Sequence, residues 1–278
     1  MPEADTHTDW VENSASGSTN RGLLGTLWES RELVGFLALK DLKIRYKQAA
    51  LGFLWVAAQP LATVAVFTLV FDRLGQVDSG DLPYPVFALA GLVSWTYVSY
   101  VVTQGSQVLV ENASLVTKVY FPRIAAPAST LLPPLADMAV AAGLLLVLAI
   151  AYGVPPTWHL VLVPAWLLLL ASIALGMCLW LSAINVRYRD VKHALGPLVQ
   201  LWLFASPVAY SGQGLDGVAG WAYALNPMVG TIELGRWVLV GAPLDGRDVA
   251  MAAIIAVVLL VTGSRYFLRA ERSFADVV

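Results

Sequence analysis

Four aromatic side chains lie near the middle of long apolar stretches, where their chemistry suits the binding of sugar rings. They are Trp95, Tyr97, Trp202 and Phe204. A membrane–water interface explains aromatic residues at the ends of such stretches but not those in the middle. An aromatic plane can stack on the apolar face of a pyranose or furanose ring without a charged partner. We therefore predict that these four residues line a channel for a sugar chain, with ordinary helix packing as the alternative interpretation.

A single carboxylate, Asp137, lies inside an apolar stretch, shortly after Pro133 and Pro134. Acidic groups inside a membrane are costly and commonly mark a substrate or proton pathway. The alternative is that Asp137 caps the helix that restarts after the prolines, by accepting hydrogen bonds from free amide groups. One carboxylate without a second acid, a base or a metal is weak evidence for catalysis.

Residues 106–121 have the pattern of an amphipathic helix. Apolar residues recur at spacings of four, three and four, and polar residues recur in the same way on the opposite side. The apolar set is Leu109, Ala113, Val116 and Tyr120, and the polar set is Gln107, Glu111, Ser114 and Lys118. The helix is expected to stop at Phe121-Pro122-Arg123. Such a helix can lie on lipid headgroups or dock into a groove of a soluble partner.

A Gly-x-Gly-x-x-Gly match at Gly212, Gly214 and Gly217 follows a predicted span instead of linking a strand to a helix, so it is interpreted as a flexible loop. Three other motifs of nucleotide-binding and hydrolytic sites are missing from the sequence. It contains no Walker A segment, no His-Glu-x-x-His and no Gly-x-Ser-x-Gly. Its histidines, His7, His159 and His193, are too scattered to share a metal, and its only cysteine, Cys178, lies in an apolar run. We therefore expect the chain itself to bind no cofactor.

The composition is that of an integral membrane protein. Hydrophobic residues make up 58% of the 278 positions and charged residues only 13%. A soluble domain has about 45 to 50% apolar and about 25% charged residues. A soluble enzyme is therefore excluded, and nothing in the charge distribution indicates a nucleic-acid partner.

The hydropathy pattern predicts an all-α protein with six membrane spans, since crossing the hydrocarbon core takes about 20 apolar residues. The spans are placed at about 51–71, 84–104, 124–152, 160–184, 193–210 and 249–267. Prolines in the third and fifth spans should kink or break them. All but Arg73, Arg236 and Arg247 of the 17 Lys and Arg residues fall on one side of this arrangement. Lys and Arg are retained in the cytoplasm, so both termini are predicted to be cytoplasmic.

Four segments are not assigned to spans or to the 106–121 helix. Residues 1–22 are predicted to be a disordered tail, residues 23–50 an interfacial amphipathic helix and residues 268–278 a cytoplasmic tail. Residues 221–241 are apolar but are interrupted by Asn226-Pro227 and by Glu233 and Arg236, which we expect to pair at a spacing of three on one helix face. This region is predicted to be a re-entrant helical hairpin on the outer side. Such a structure is tolerated at membrane depth only where it is buried in protein or lines a wet cavity.

Several short motifs, taken in order along the chain, make the sequence similar to the permease subunits of ABC transporters that export polysaccharides. The motifs are residues 42–48, 51–55, Gln59-Pro60, 84–87, 115–123, 185–190, Ser206-Pro207, Asn226-Pro227 and 271–276. The order and spacing of these pieces carry the resemblance, which covers nearly the whole chain after the tail.

The resemblance implies a homodimer in the bacterial cytoplasmic membrane, bound to two copies of a separate ABC ATPase that holds ATP and Mg²⁺. It implies that residues 106–121 form the coupling or gate helix. The candidate coupling residues are Glu111, Ser114, Lys118, Tyr120 and Arg123, and those of the outer re-entrant gate are Asn226, Glu233 and Arg236. The implied substrate is an undecaprenyl- or decaprenyl-linked polysaccharide. A galactan is favoured first and an O-antigen or teichoic-type polymer second.

Two other classes of function stay open at this point. A membrane enzyme acting on lipid-linked sugars would need acids, His or Arg clustered at one membrane face, and Asp137 is the only carboxylate in the predicted spans. An efflux permease for drugs or small lipids would use the mid-span aromatic residues to hold a compact ligand.

Overall fold

The computed structural model describes residues 23–47, 52–75, 79–113, 121–188, 190–212, 217–271 and 274, and within these ranges every regular element is helical. The helices are α1 (Leu23–Glu29), α2 (Arg31–Lys47), α3 (Gly52–Phe67), α4 (Tyr84–Glu111), α5 (Ala125–Ser129), α6 (Pro133–Ala151), α7 (Val163–Arg187), α8 (Val191–Phe204), α9 (Gly217–Ala224), α10 (Pro227–Val240) and α11 (Gly246–Ala270). A π-helical segment (Thr68–Leu74) extends α3, and a 3₁₀ turn (Trp158–Leu162) precedes α7. The prediction of an all-helical membrane protein is confirmed.

Five helical stretches in the described residues are long and apolar enough to cross a membrane. They are Trp55–Leu74, Tyr84–Glu111, Ala125–Ala151, Trp158–Arg187 and Gly246–Ala270. The remaining predicted span, 193–210, corresponds to α8, which has 14 residues and ends at Phe204. At 1.5 Å per residue α8 is about 21 Å long, short of the ~30 Å hydrocarbon core. The count of six spans and the topology stay predictions.

Helix α4 forms the centre of the bundle, because α3, α6, α7, α8 and α10 all contact it. Nearly every side chain from Tyr84 to Val102 is buried. Helices α7 and α11 pack against each other through Gly176 and Gly263, and a Cβ atom added at Gly263 would lie 2.6 Å from the Gly176 carbonyl oxygen. Small residues at such crossings let two membrane helices approach closely.

The predicted span that ends at about 104 and the first part of the predicted coupling helix lie on one continuous helix. Helix α4 continues without a break to Glu111. Gly105 does not interrupt it. A Cβ atom at that position would lie 2.2 Å from Cys178 Sγ, so this glycine provides a close contact with α7. Leu109, on the predicted apolar face, is buried within the chain in a cluster with Leu37, Leu179 and Phe267.

Helices α9 and α10 occupy the region predicted to be re-entrant. The turn between them contains Asn226, whose side chain accepts a hydrogen bond from the Met228 amide and so caps α10. Most of α10 is buried, and it packs against α4, α7 and α11. The insertion of these helices into the membrane from the outer side stays a prediction.

Candidate functional site

A cleft of about 610 Å³ lies between α3, α4, α6 and α8, with the end of α2 at one rim. The lining combines aromatic, hydroxyl and amide groups with apolar side chains. The aromatic and polar lining residues are Tyr46, Trp55, Gln59, Thr63, Trp95, Thr96, Tyr97, Ser99, Tyr100, Thr103, Gln104 and Gln200, and the charged ones are Arg45 and Asp137. Hydroxyl and amide groups can exchange hydrogen bonds with sugar hydroxyls, while aromatic planes cover the apolar ring faces.

Two of the four aromatic residues predicted to line a channel border this cleft. Trp95 and Tyr97 both lie on α4, and each is less than 10% exposed. The Tyr97 hydroxyl donates a hydrogen bond to the Leu131 carbonyl at 3.1 Å, which fixes the orientation of its ring. The Trp95 ring meets the ring of Trp202 edge to face, with centroids 5.2 Å apart. The Trp202 ring therefore packs against the Trp95 ring and stabilises its position.

The other two residues lie elsewhere. Trp202 is outside the lining of this cleft and instead borders a second, mostly apolar cavity of about 620 Å³ between α7, α9 and α11. Phe204 borders neither cavity and is 56% exposed. Of the four predicted residues, only Trp95 and Tyr97 line the cleft.

Asp137 binds side chains of helix α2 at the rim of the cleft. Its carboxylate pairs with the Arg45 guanidinium at 2.7 Å and accepts a hydrogen bond from the Tyr46 hydroxyl at 2.5 Å. Arg45 also lies over the ring of Tyr100, 4.6 Å from its centroid. Burial of Tyr46, together with its hydrogen bond to Asp137, raises the pKa of the phenol to about 12.

These contacts correct the interpretation of Asp137 as a helix cap. Helix α6 begins at Pro133, its N-cap residue is Leu132, and no side chain there caps the helix. Asp137 lies one turn further along and joins α6 to α2 instead. Sequence reasoning missed this pair because Arg45 and Asp137 are 92 positions apart in the chain.

The candidate coupling residues are only partly described. Ser114, Lys118 and Tyr120 lie outside the described residues. Glu111 is exposed at the end of α4, and Lys40 Nζ of α2 donates to Asn112 Oδ1 at 3.0 Å beside it. Arg123 Nη1 donates to the Glu271 carbonyl at 2.9 Å. Burial raises the pKa of the Glu271 carboxyl, and its contact with Arg123 opposes that shift.

Asn226 joins the short helices α9 and α10 to the end of α8. Its Oδ1 accepts hydrogen bonds from Trp202 Nε1 at 3.0 Å and from the Met228 amide at 3.1 Å. Its Nδ2 donates to the Ala205 carbonyl and to Ser206 Oγ, both at 3.0 Å. This side chain therefore uses both ends of its amide to fix the turn.

Arg236 is buried among backbone carbonyl groups rather than paired with Glu233, which corrects the pairing expected from their spacing. Its Nη2 donates to the Val208 carbonyl at 2.8 Å, and its Nε donates to the Phe87 carbonyl at 3.2 Å. The guanidinium also lies 3.5 Å from the centroid of the Phe87 ring. Glu233 Oε2 is buried with no hydrogen-bond partner among the described residues.

Comparisons with known proteins agree with these features. The ABC-2 type transporter family matches residues 32–240. The O-antigen export system permease protein RfbA of Myxococcus xanthus is 33% identical over 257 residues, which cover 91% of this chain and 98% of the relative. An RfbA of Klebsiella pneumoniae is 23% identical, covering 89% of this chain and 95% of the relative. The polysialic acid transport protein KpsM of Escherichia coli is 26% identical, covering 82% and 89% respectively.

The family match extends from the interfacial helix through the cleft to the end of α10, and so includes all the helices that line the cleft. Together with the five long apolar helices, it identifies a multi-pass protein of the inner membrane. The chain belongs to the ABC-2 type transporter family.

Proposed function

We propose that this chain is the permease subunit of an ABC transporter that exports a lipid-linked polysaccharide across the cytoplasmic membrane. The observation that carries the proposal is the cleft, whose wall of aromatic, hydroxyl and amide groups suits a sugar chain. Its two charged lining residues, Arg45 and Asp137, pair with each other at the rim. The names of the relatives, which refer to O-antigen export and polysialic acid transport, favour the same class of substrate. A galactan or an O-antigen-like glycan on an undecaprenyl or decaprenyl carrier is the substrate we favour.

We further propose a homodimer of six-span subunits with both termini in the cytoplasm. Two copies of an ABC ATPase would bind ATP and Mg²⁺, since this sequence has no Walker A segment of its own. Closure of the ATPase pair would displace residues 106–121 and open a path for the polymer. The outer helices α9 and α10, with Asn226, Glu233 and Arg236, would guard the exit.

The cleft wall offers a sliding polymer many weak contacts. Stacking on Trp95 holds a ring without a fixed charge, and groups such as Thr96, Ser99 and Gln200 can replace water around the sugar hydroxyls. Because each contact is weak and repeated, the polymer can advance from one to the next. The lipid carrier would stay in contact with the membrane.

Replacing Trp95 with Ala is expected to lower glycan export about two- to tenfold. An aromatic contact contributes about 0.5 to 1.5 kcal/mol, which corresponds to this range of rates. The reason is the loss of a stacking plane from the cleft wall. Export is measured as labelled glycan reaching the cell surface, at equal amounts of permease in the membrane. Trp95→Phe should recover part of the activity.

Phe204→Ala is the matched control, because Phe204 is an exposed aromatic residue outside the cleft lining. Unchanged export in Trp95→Ala would remove Trp95 from the polymer path. Conversion of a lipid-linked sugar by the purified chain alone would instead favour a membrane enzyme. A wild-type chain that moves small drugs but no glycan would favour an efflux permease.

Glu111→Ala and Lys118→Ala are expected to uncouple ATP hydrolysis from export, because both residues belong to the proposed coupling segment. Hydrolysis by the assembled complex should continue while export falls, by about two- to thirtyfold if the loss matches typical coupling energies. The measurement is the ratio of exported glycan to released phosphate. Export and hydrolysis falling in equal proportion would contradict a coupling role.

A further inference from the structure

The C-terminal end of α11 and the segment around Arg123 bind each other through two reciprocal hydrogen bonds. The backbone N–H of Arg123 donates to Glu271 Oε1 at 3.1 Å. The Arg123 side chain donates from Nη1 to the Glu271 carbonyl at 2.9 Å. The two residues are 148 positions apart, so this contact is a tertiary connection between the last helix and the loop before α5.

Phe274 provides further contacts between the chain after α11 and the region around Arg123. Its side chain is only 2% exposed, and its ring meets the ring of Phe267 edge to face with centroids 5.6 Å apart. The Arg123 guanidinium lies 5.9 Å from the centroid of the Phe274 ring. Phe274 therefore belongs to an apolar cluster that also contains Leu109 of α4 and Ile124.

The chemistry of the contact favours a fixed geometry. A guanidinium at the C-terminal end of a helix interacts favourably with the partial negative charge of the last carbonyl groups. Glu271 is the residue that ends α11, so Arg123 binds at that position. A carboxylate that accepts a backbone N–H forms a charge-assisted hydrogen bond, which is stronger than a neutral one. Together the two bonds fix the main chain of Arg123 relative to α11.

We infer that Glu271 and Phe274 are positioning residues that hold the C-terminal end of the coupling segment against α11. Arg123 directly follows residues 106–121 and Pro122, so any displacement of that segment reaches the contact with Glu271. Movement imposed there would then pass to α11, which packs along the length of α7. This inference rests on the proposed role of residues 106–121 in ATPase coupling.

The test compares Glu271→Ala, Glu271→Gln and Phe274→Leu with Arg269→Ala, an exposed residue in the last turn of the same helix. Each permease is purified with the ABC ATPase that co-purifies with the wild-type chain, and the complex is placed in liposomes. Three quantities are measured: the amount of bound ATPase, the rate of phosphate release and the lipid-linked glycan moved.

Glu271→Ala is expected to bind a normal amount of ATPase and hydrolyse ATP, while moving about tenfold less glycan per ATP, within the range of known coupling energies. Glu271→Gln keeps an oxygen that can accept the hydrogen bond from the Arg123 N–H. It should therefore recover at least part of the wild-type ratio of glycan moved to ATP hydrolysed. Phe274→Leu keeps an apolar anchor and should fall between wild type and Glu271→Ala. Arg269→Ala should match wild type.

Two results would overturn this inference and leave the proposed function unaffected. One is a wild-type ratio of glycan to ATP in Glu271→Ala. The other is loss of assembly in all three variants, which would mean that the contact only maintains the fold. A wild-type chain that binds no ATPase or moves no glycan would overturn the proposed function as well, so the two failures are distinguishable.

Discussion

Replacing Arg236 with Leu is expected to lower the free energy of unfolding by about 3 to 5 kcal/mol, because two charge-assisted hydrogen bonds are lost. The Val208 and Phe87 carbonyl groups would keep no equivalent donor from α10. Leucine also cannot reproduce the contact of the guanidinium with the Phe87 ring. The measurement is unfolding of the purified protein in mixed micelles, followed by tryptophan fluorescence.

Arg236→Lys should recover little of this stability. An ammonium is a compact point charge and lacks the planar fork that reaches two carbonyl groups while stacking on a ring. Arg73→Leu is the control, because Arg73 is 78% exposed and pairs with Asp72 only at 3.9 Å. An exposed pair of this kind contributes about 0 to 1 kcal/mol. Equal losses in Arg236→Leu and Arg73→Leu would contradict the role assigned to the buried guanidinium.

In α10, the sequence identified Glu233 and Arg236 as candidate residues but did not identify the groups that Arg236 contacts. Spacing alone favours an ion pair between Glu233 and Arg236, since residues three apart share a helix face. The structure turns Arg236 toward α4 and the segment after α8, where main-chain carbonyl groups accept its hydrogen bonds. No periodicity in α10 identifies such acceptors, because they belong to residues 28 and 149 positions away.

The amphipathic pattern of residues 106–121 likewise predicts an apolar face but not its contacts. An amphipathic pattern correctly indicates that Leu109 lies on an apolar face, but it does not say what covers that face. In the structure the cover is provided by residues of the same chain, including Leu37 and Leu179. Gly105, which lies between the predicted span and the predicted coupling helix, is a site of close packing against Cys178.

The candidate cleft was predicted in part. Mid-span position identified Trp95 and Tyr97, which line it, but could not exclude Phe204, which does not. The position of Phe204 follows from the packing of α8 against α4, which the sequence of α8 alone does not give. The hydroxyl and amide groups of the wall carry no such signal, because Ser, Thr and Gln occur throughout membrane helices in packing roles.

Reversing the charge of Asp137 is expected to lower glycan export about tenfold by releasing α2 from the rim of the cleft. In Asp137→Arg, two cations would face each other where an ion pair of 2.7 Å now lies. Unit charges 4 Å apart interact by about 4 kcal/mol at an effective dielectric constant of ~20. The Arg45 side chain is 37% exposed, so solvent screening reduces this to about 1 to 2 kcal/mol, or roughly tenfold.

The double variant Arg45→Asp with Asp137→Arg restores opposite charges and should recover most of the export, whereas each single reversal should not. Lys43→Asp is the control, because Lys43 is an exposed cation on the same helix. Proteolysis of α2 in membrane vesicles gives an independent measurement, and cleavage should be faster in the single variants only. If the double variant exports no more than either single variant, the two side chains act separately, and α2 is held at the cleft by Tyr46 and its apolar contacts with α5 and α6 rather than by this ion pair.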